Sequence, residues 1–195
     1  MKLIIFTGAP ASGKSSLAEY IGEKMDIDVV SKDGFKIALF EKYGFNSHKE
    51  KKRLSIKGEQ QLHQSIQKYV DKGIDLIVDN NFKNYNDVRK IIIESNKSVG
   101  IKCINCVADY SELANRYNER IKSGNRHRAL YTLNKYPVVE GISEFHKPIT
   151  EDDVKRIQEC VKESTYGKDV LEVNTTNIKV DFQKICDQVE KFIKS

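Results

Sequence analysis

A short apolar run, Leu3-Ile4-Ile5-Phe6, leads directly into Gly8-Ala9-Pro10-Ala11-Ser12-Gly13-Lys14-Ser15, which matches G-x-x-x-x-G-K-[ST] at every defined position. The pattern has a mechanical meaning only between a strand and a helix. There the turn aims successive backbone N–H groups, and the first turn of the helix, at one anion. Both neighbours are expected here: a strand over residues 2–7 and a helix over residues 14–25. Gly8 and Gly13 let the backbone wrap closely, the Lys14 ammonium reaches β- and γ-phosphates, and the Ser15 hydroxyl is placed to ligate Mg²⁺. Residues Gly8 to Ser16 are therefore the expected nucleotide-binding set, Ser16 being the next residue of the helix.

The rest of the chain keeps the rhythm that this unit starts. Residues 28–32, 76–78, 101–107 and 170–173 are further short β-branched runs, separated by segments with helical spacing. Five strands with intervening helices predict a parallel sheet covered on both faces, an α/β architecture in a single domain over residues 1–195. Two segments depart from the alternation. Residues 43–73 read as a helical insertion with a sparse stripe of Leu54, Gly58, Leu62, Ile66 and Tyr69 or Val70. Residues 116–148 carry Arg116, Arg120, Arg126, His127 and Arg128, then Pro137, Gly141 and Pro148, and read as a mobile basic lid. A last helix over residues 180–193 closes the domain with Phe182, Ile185, Val189, Phe192 and Ile193 on one face.

Composition limits the function classes. A net charge of +5 suits a polyanionic ligand without separating a nucleotide from a nucleic acid. No apolar stretch approaches the roughly 20 residues that span a bilayer, and the first run is shorter than a signal-peptide core, so a cytoplasmic protein with no membrane partner is expected. Cys103 and Cys106 fall in one strand with side chains on opposite faces, which disqualifies them as joint metal ligands; buried thiols are expected of the cysteines.

Phosphoryl chemistry needs a carboxylate beside the acceptor hydroxyl and another near the metal, both at the carboxyl ends of strands flanking the loop. Asp33 and Asp79 fit, although either also suits a helix N-cap. A basic flap closing over the nucleotide would neutralise the transferring group and exclude water, a role for which Arg120 is the first candidate, with Arg126 and Arg128 evenly balanced between that and a solvated face. His127 reads as a surface residue. The cluster His48, Lys49, Lys51, Lys52 and Arg53 reads as a solvated helix start, with nucleic-acid contact as the alternative.

These residues resemble the ATP-dependent P-loop kinases that include polynucleotide 5′-hydroxyl kinases and related small-molecule kinases, over nearly the whole chain. The loop at residues 8–15, Ser31-Lys32-Asp33, the segment Ile77-Val78-Asp79-Asn80-Asn81-Phe82 and the stretch from Glu112 to Arg120 carry the likeness. The resemblance implies a three-layer P-loop NTPase fold with strand order 2-3-1-4-5. It further implies Mg-ATP as phosphoryl donor, Asp33 as general base and Lys14 with Arg120 as the other catalytic groups. Arg116 and Arg120 would grip the nucleotide phosphates, and Ser15 with Asp79 would hold the metal. Where the polynucleotide kinases commonly carry an Arg three residues after the base, this chain has Lys36, which lacks the bidentate fork. The acceptor expected is therefore a hydroxyl on a small molecule or nucleotide, with a nucleic-acid 5′-hydroxyl and a regulatory NTPase switch as alternatives. Asn134-Lys135 continues as Tyr136-Pro137, so no N-K-x-D guanine motif supports a GTPase.

Overall fold

A computed structural model describes residues 1–81, 85–163 and 169–195. The five strands are β1 (Lys2–Gly8), β2 (Val29–Ser31), β3 (Leu76–Asp79), β4 (Gly100–Val107) and β5 (Val170–Asn174). They form one parallel sheet in the order β2-β3-β1-β4-β5, as the resemblance implied. Side-chain alternation along β1 builds two cores. Ile4 and Phe6 join Ile77, Ile104, Cys106 and Val173 under α1 (Lys14–Met25) and α8 (Ile178–Lys194). Leu3 and Ile5 join Leu76, Val78 and Cys103 on the opposite face, under α3 (His48–Lys72) and α4 (Asn86–Glu94). Cys103 and Cys106 thus lie buried on opposite faces; Cys160, by contrast, is exposed and corrects the expectation of buried thiols. Each fully buried Leu or Ile stabilises this arrangement by roughly 1.5–3 kcal/mol, so the two cores hold the loops at the strand ends on a stiff base.

The segment expected as an insertion is more deeply integrated than its polar composition suggests. Between β2 and β3 run α2 (Lys32–Tyr43) and α3, and the Leu62, Ile66 and Val70 stripe of α3 covers the sheet. Gly58 lies where α3 crosses α2: a Cβ there would sit 3.2 Å from the Lys36 backbone nitrogen and 3.1 Å from its Cγ. A glycine stripe position therefore lets two helices approach closely and fixes where Lys36 stands.

The lid also differs from a free flap. After α5 (Tyr110–Ser123) and the short α6 (Arg128–Tyr131), the chain turns back onto α2 and α3. Phe40, Phe45 and Ala129 form a small buried core with Leu54, Leu130 and Tyr136, and Phe45 exchanges backbone hydrogen bonds with Tyr136 at 2.8 Å. The aromatic residues of this segment, hidden among weak helix signals, supply the anchor. α7 (Glu151–Glu163) then leads back toward β5, packing Val154 against Leu113 and Ala114 of α5. No helix among the described residues is long and apolar enough to cross a membrane.

Candidate active site

The carboxyl ends of β1, β2 and β3 open into a cleft of about 590 Å³, roofed by α5, α6 and the chain that follows. This is where open α/β sheets bind ligands. Its floor is the glycine-rich turn. Gly8 has φ 148°, and a Cβ there would stand 2.4 Å from the Cys106 carbonyl oxygen. Gly8 therefore tolerates no side chain, while Gly13 has a left-handed φ of 79° that favours glycine, its Cβ position meeting the movable Ile178 Cδ1 at 2.7 Å. Ala11 also takes a left-handed φ of 68°, and Ser12 N–H donates to Ala9 O at 3.2 Å, which tightens the turn. Gly13 caps α1 without offering a side-chain acceptor, leaving the first-turn amides of α1 for a ligand. The other residues of the expected set, Pro10, Lys14 and Ser15, line the cleft, Ala9 is buried against Ala108 and Leu113, and Ser16 is exposed.

Asn81 was missed as a positioning residue by sequence reasoning. Its Oδ1 accepts from Gly8 N–H at 2.9 Å and from Thr7 Oγ1 at 3.0 Å, while its Nδ2 donates to Gly8 O at 2.6 Å. One side chain thus clamps the entry to the loop from β3. The signal was its place two residues after Asp79. Phe82, the last residue of the segment carrying the resemblance, lies outside the described residues.

Asp79 ends β3 and is 8% exposed, and its Oδ1 is buried without a hydrogen-bond partner. It does not cap a helix, since Tyr85 precedes α4. A buried, orphaned carboxylate oxygen in the cleft that Ser15 also lines fits a hard divalent cation. Mg²⁺ commonly takes one or two protein oxygens and completes its shell with water and phosphate.

Asp33 lies in the first turn of α2, whose N-cap is Ser31, the Ser31 hydroxyl accepting from Gly34 N–H at 3.0 Å. Asp33 is free of the capping role and faces the cleft. Its Oδ1 accepts from Lys36 Nζ at 2.9 Å and its Oδ2 from Arg126 Nη2. Burial pushes the carboxyl upward, but the charges and hydrogen bonds of Lys36 and Arg126 together outweigh it and hold the group at about 2. Arg126, balanced between two readings in sequence, is thereby placed in the site, whereas Arg128 is exposed and not part of the cleft wall. Arg120 lines the cleft; burial, then the neighbouring Arg126, lowers its pKa, and Tyr117 and Asp33 oppose that.

Three expectations need correction. Arg116 does not reach the cleft: its Nη2 donates to the carbonyls of Thr175 at 3.0 Å and Thr176 at 2.6 Å, and its Nε to Glu112 at 2.7 Å. The carbonyls beyond β5 hold Nη2 while Nη1 is buried without a hydrogen-bond partner among the described residues, so Arg116 braces the turn into α8, whose Ile178 abuts Gly13. His127 is not a plain surface residue: its Nε2 stands 2.9 Å from Glu41 Oε1, which also accepts from the Tyr136 hydroxyl, and its ring packs 5.8 Å from that of Tyr136. Lys51 is 9% exposed, unlike its exposed neighbours Lys49, Lys52 and Arg53. Its Nζ donates to Leu130 O at 3.0 Å and to Thr132 O, tying α3 to the lid. Burial, then the charges of Lys36 and Arg126, lowers its pKa to about 8, against the pull of Asp33.

Residues 3–133 match the AAA domain family. Among solved structures, a candidate kinase from Chloroflexus aurantiacus J-10-fl is similar at a TM-score of 0.70 with 22% identity, over 99% of this chain and 96% of that one. A gluconokinase from Sinorhizobium meliloti 1021 is similar at 0.54 with 14% identity, over 99% and 95% of the two chains. A sugar kinase from Janibacter sp. HTCC2649 is similar at 0.55 with 12% identity, over 99% and 94%. At such identities the likeness carries the fold. No curated protein matches the sequence.

Proposed function

The chain belongs to the AAA domain family, and from that premise we propose that it acts as one kinase domain over residues 1–195, moving the γ-phosphoryl group of ATP to a hydroxyl of a small molecule. The observation that carries this reading is the pairing, across one cleft, of a phosphate loop with a half-exposed aspartate that caps nothing. A switch that only hydrolyses nucleotide needs a positioned water and has no use for an acceptor pocket walled by Lys36, Leu130, Tyr131 and His146. The kinase and sugar-kinase names of the similar structures support the same class.

In this mechanism the loop amides, the N-terminus of α1 and Lys14 hold the β- and γ-phosphates. Ser15 and Asp79 would hold Mg²⁺, which would neutralise the phosphate oxygens when bound. Asp33 accepts a hydrogen bond from the acceptor hydroxyl and takes its proton as the new O–P bond forms and the bond from Pγ to the bridging oxygen of ADP breaks. Arg120 faces the charge that gathers on the transferring group. The products are a phosphomonoester and ADP, and α6 with the chain after it excludes the water that would otherwise compete as acceptor.

The test is transfer of labelled γ-phosphate from ATP to a panel of polyols, sugars, sugar acids, sugar phosphates, nucleosides and 5′-hydroxyl oligonucleotides. Labelling of a small-molecule class is the expected result. Labelling of oligonucleotides alone would move the acceptor to nucleic acid, and release of inorganic phosphate alone would replace the kinase with an NTPase.

A further inference from the structure

The charge around Asp33 does not balance. Lys36 from α2 and Arg126 from the α5–α6 connection share this one carboxylate, while Lys51 from α3 stands behind them, hydrogen-bonded among the described residues to neutral carbonyl oxygens and lying over the Phe40 and Phe45 rings. His146 lines the same wall, its backbone N–H fixed to Tyr131 O at 2.8 Å, and the charges of Lys51, Arg126 and Lys36 add to burial in disfavouring its protonation. Lys36 and Arg126 are only 19% and 30% exposed, so bulk water compensates them incompletely. Partly desolvated cations in excess of their anions attract a ligand that brings its own negative charge.

The same contacts pose a chemical problem. With one oxygen on Lys36 and the other on Arg126, Asp33 is held less basic than a free carboxylate, and a hydroxyl that reaches either oxygen must share it with a cation. A neutral polyol offers the two cations nothing in exchange for the carboxylate. An anionic acceptor does.

Building on the kinase reading above, we infer that the acceptor is a small hydroxyl compound bearing a carboxylate or phosphate, whose anionic group takes Lys36 and Arg126 from Asp33 and so releases the base only when an acceptor is seated. Mg-ATP alone then meets a site whose base is held in reserve, which limits transfer to water. The cleft volume of about 590 Å³, shared with the phosphates of the nucleotide, suits such a compound. The acceptor is identified by charge at Lys36 and Arg126, and by the hydroxyl at Asp33.

The experiment follows the Asp33 carboxyl by ¹³C NMR through a pH titration of the full chain saturated with Mg-ADP. Four probes are added separately: inorganic phosphate, gluconate, glycerol and a 5′-hydroxyl oligonucleotide. Loss of two cationic partners raises a carboxylate by about 1–3 pH units per charge, so at least one anion should raise the Asp33 titration by about one unit or more, and glycerol should leave it in place. A response to gluconate assigns a carboxylate; a response to phosphate assigns a phosphorylated acceptor if it persists when a non-hydrolysable ATP analogue replaces ADP and fills the γ-phosphate place, and counts against the inference if it then disappears. In Lys36→Met and Arg126→Met the titration should start higher and the response to the anion should shrink. An unchanged titration with both anions, or an equal shift with glycerol, overturns the inference while leaving the kinase reading intact. A shift with a 5′-hydroxyl oligonucleotide but with neither small anion overturns the small acceptor. Failure of the chain to bind Mg-ADP at all would instead remove the kinase reading, and this inference with it.

Discussion

The two sides of the cleft are built in different ways. On the nucleotide side the ligand-facing groups are chiefly backbone amides and the first turn of α1, held by steric necessity at Gly8, the left-handed backbone at Gly13 and the Asn81 clamp. On the proposed acceptor side they are side chains drawn from three places, Asp33 and Lys36 on α2, Arg126 before α6, and His146 beyond it, with Lys51 of α3 buried behind them. A backbone cradle comes with its local fold and accepts any phosphate of the right shape. A side-chain cluster exists only after distant segments have docked, and its charges can be rearranged by what binds. The first side suits a donor common to many enzymes, and the second suits selection of one acceptor.

That division can be broken by substitution. Asp33→Asn removes the proton acceptor and should lower kcat by about 10²–10⁴-fold, measured as labelled product with the acceptor that the panel identifies; turnover near wild type would remove Asp33 from the base role. Lys14→Ala removes a cation from the nucleotide phosphates and should lower kcat by about 10²–10³-fold while raising the KM for ATP; an unchanged KM would detach the loop from nucleotide binding.

A subtler change addresses the acceptor side through packing alone. Gly58→Val recovers part of the roughly 1 kcal/mol that glycine costs in a helix, but pressing a side chain onto Lys36 costs about 1–3 kcal/mol of overpacking. Overpacking wins, α2 shifts away from α3, and Lys36 and Asp33 move with it. Displacement on the order of 1 Å can lower kcat/KM for the acceptor by about 10²-fold, with the affinity for Mg-ATP kept. Equal losses toward both substrates would show that the two sides are mechanically one.

The smallest effect belongs to Lys51. Its folded pKa of about 8 lies below its ordinary value of 10.5, so the unfolded chain binds this proton more tightly than the folded one. The group therefore lowers stability below about pH 8, and the deficit is relieved as pH rises toward 10.5. Thermal unfolding of Lys51→Met across that window should lose this rising component; an identical pH dependence would mean that Lys51 is not desolvated as the structure has it.

The same division explains how much could be read in the sequence. The phosphate loop, its flanking strand and helix, and the placing of Asp79 at the end of β3 and of Asp33 just past β2 were legible because each is set by local chain geometry within a few residues. The strand order came through the resemblance that these motifs carry. What escaped depends on contacts across long stretches of chain. Arg126 meets Asp33 across 93 residues, and Lys51 meets Thr132 across 81. Neither partnership leaves a periodic trace. Arg116 misled for the opposite reason: its helical spacing from Arg120 suggested a shared target, but carbonyls beyond β5 compete for its guanidinium. The lid seemed loose because Pro137 and Gly141 interrupt helical spacing, while its anchor is aromatic packing around Phe40 and Phe45.

The most direct measurement is calorimetric titration of Mg-ATP into Asp33→Asn and Lys14→Ala side by side with the unsubstituted chain. A nucleotide cradle separate from an acceptor cluster predicts that Asp33→Asn binds Mg-ATP as tightly as the unsubstituted chain and that Lys14→Ala binds it much more weakly. Equal weakening in both variants would contradict it, since Asp33 would then belong to nucleotide binding and the cleft would contain no distinct place for an acceptor.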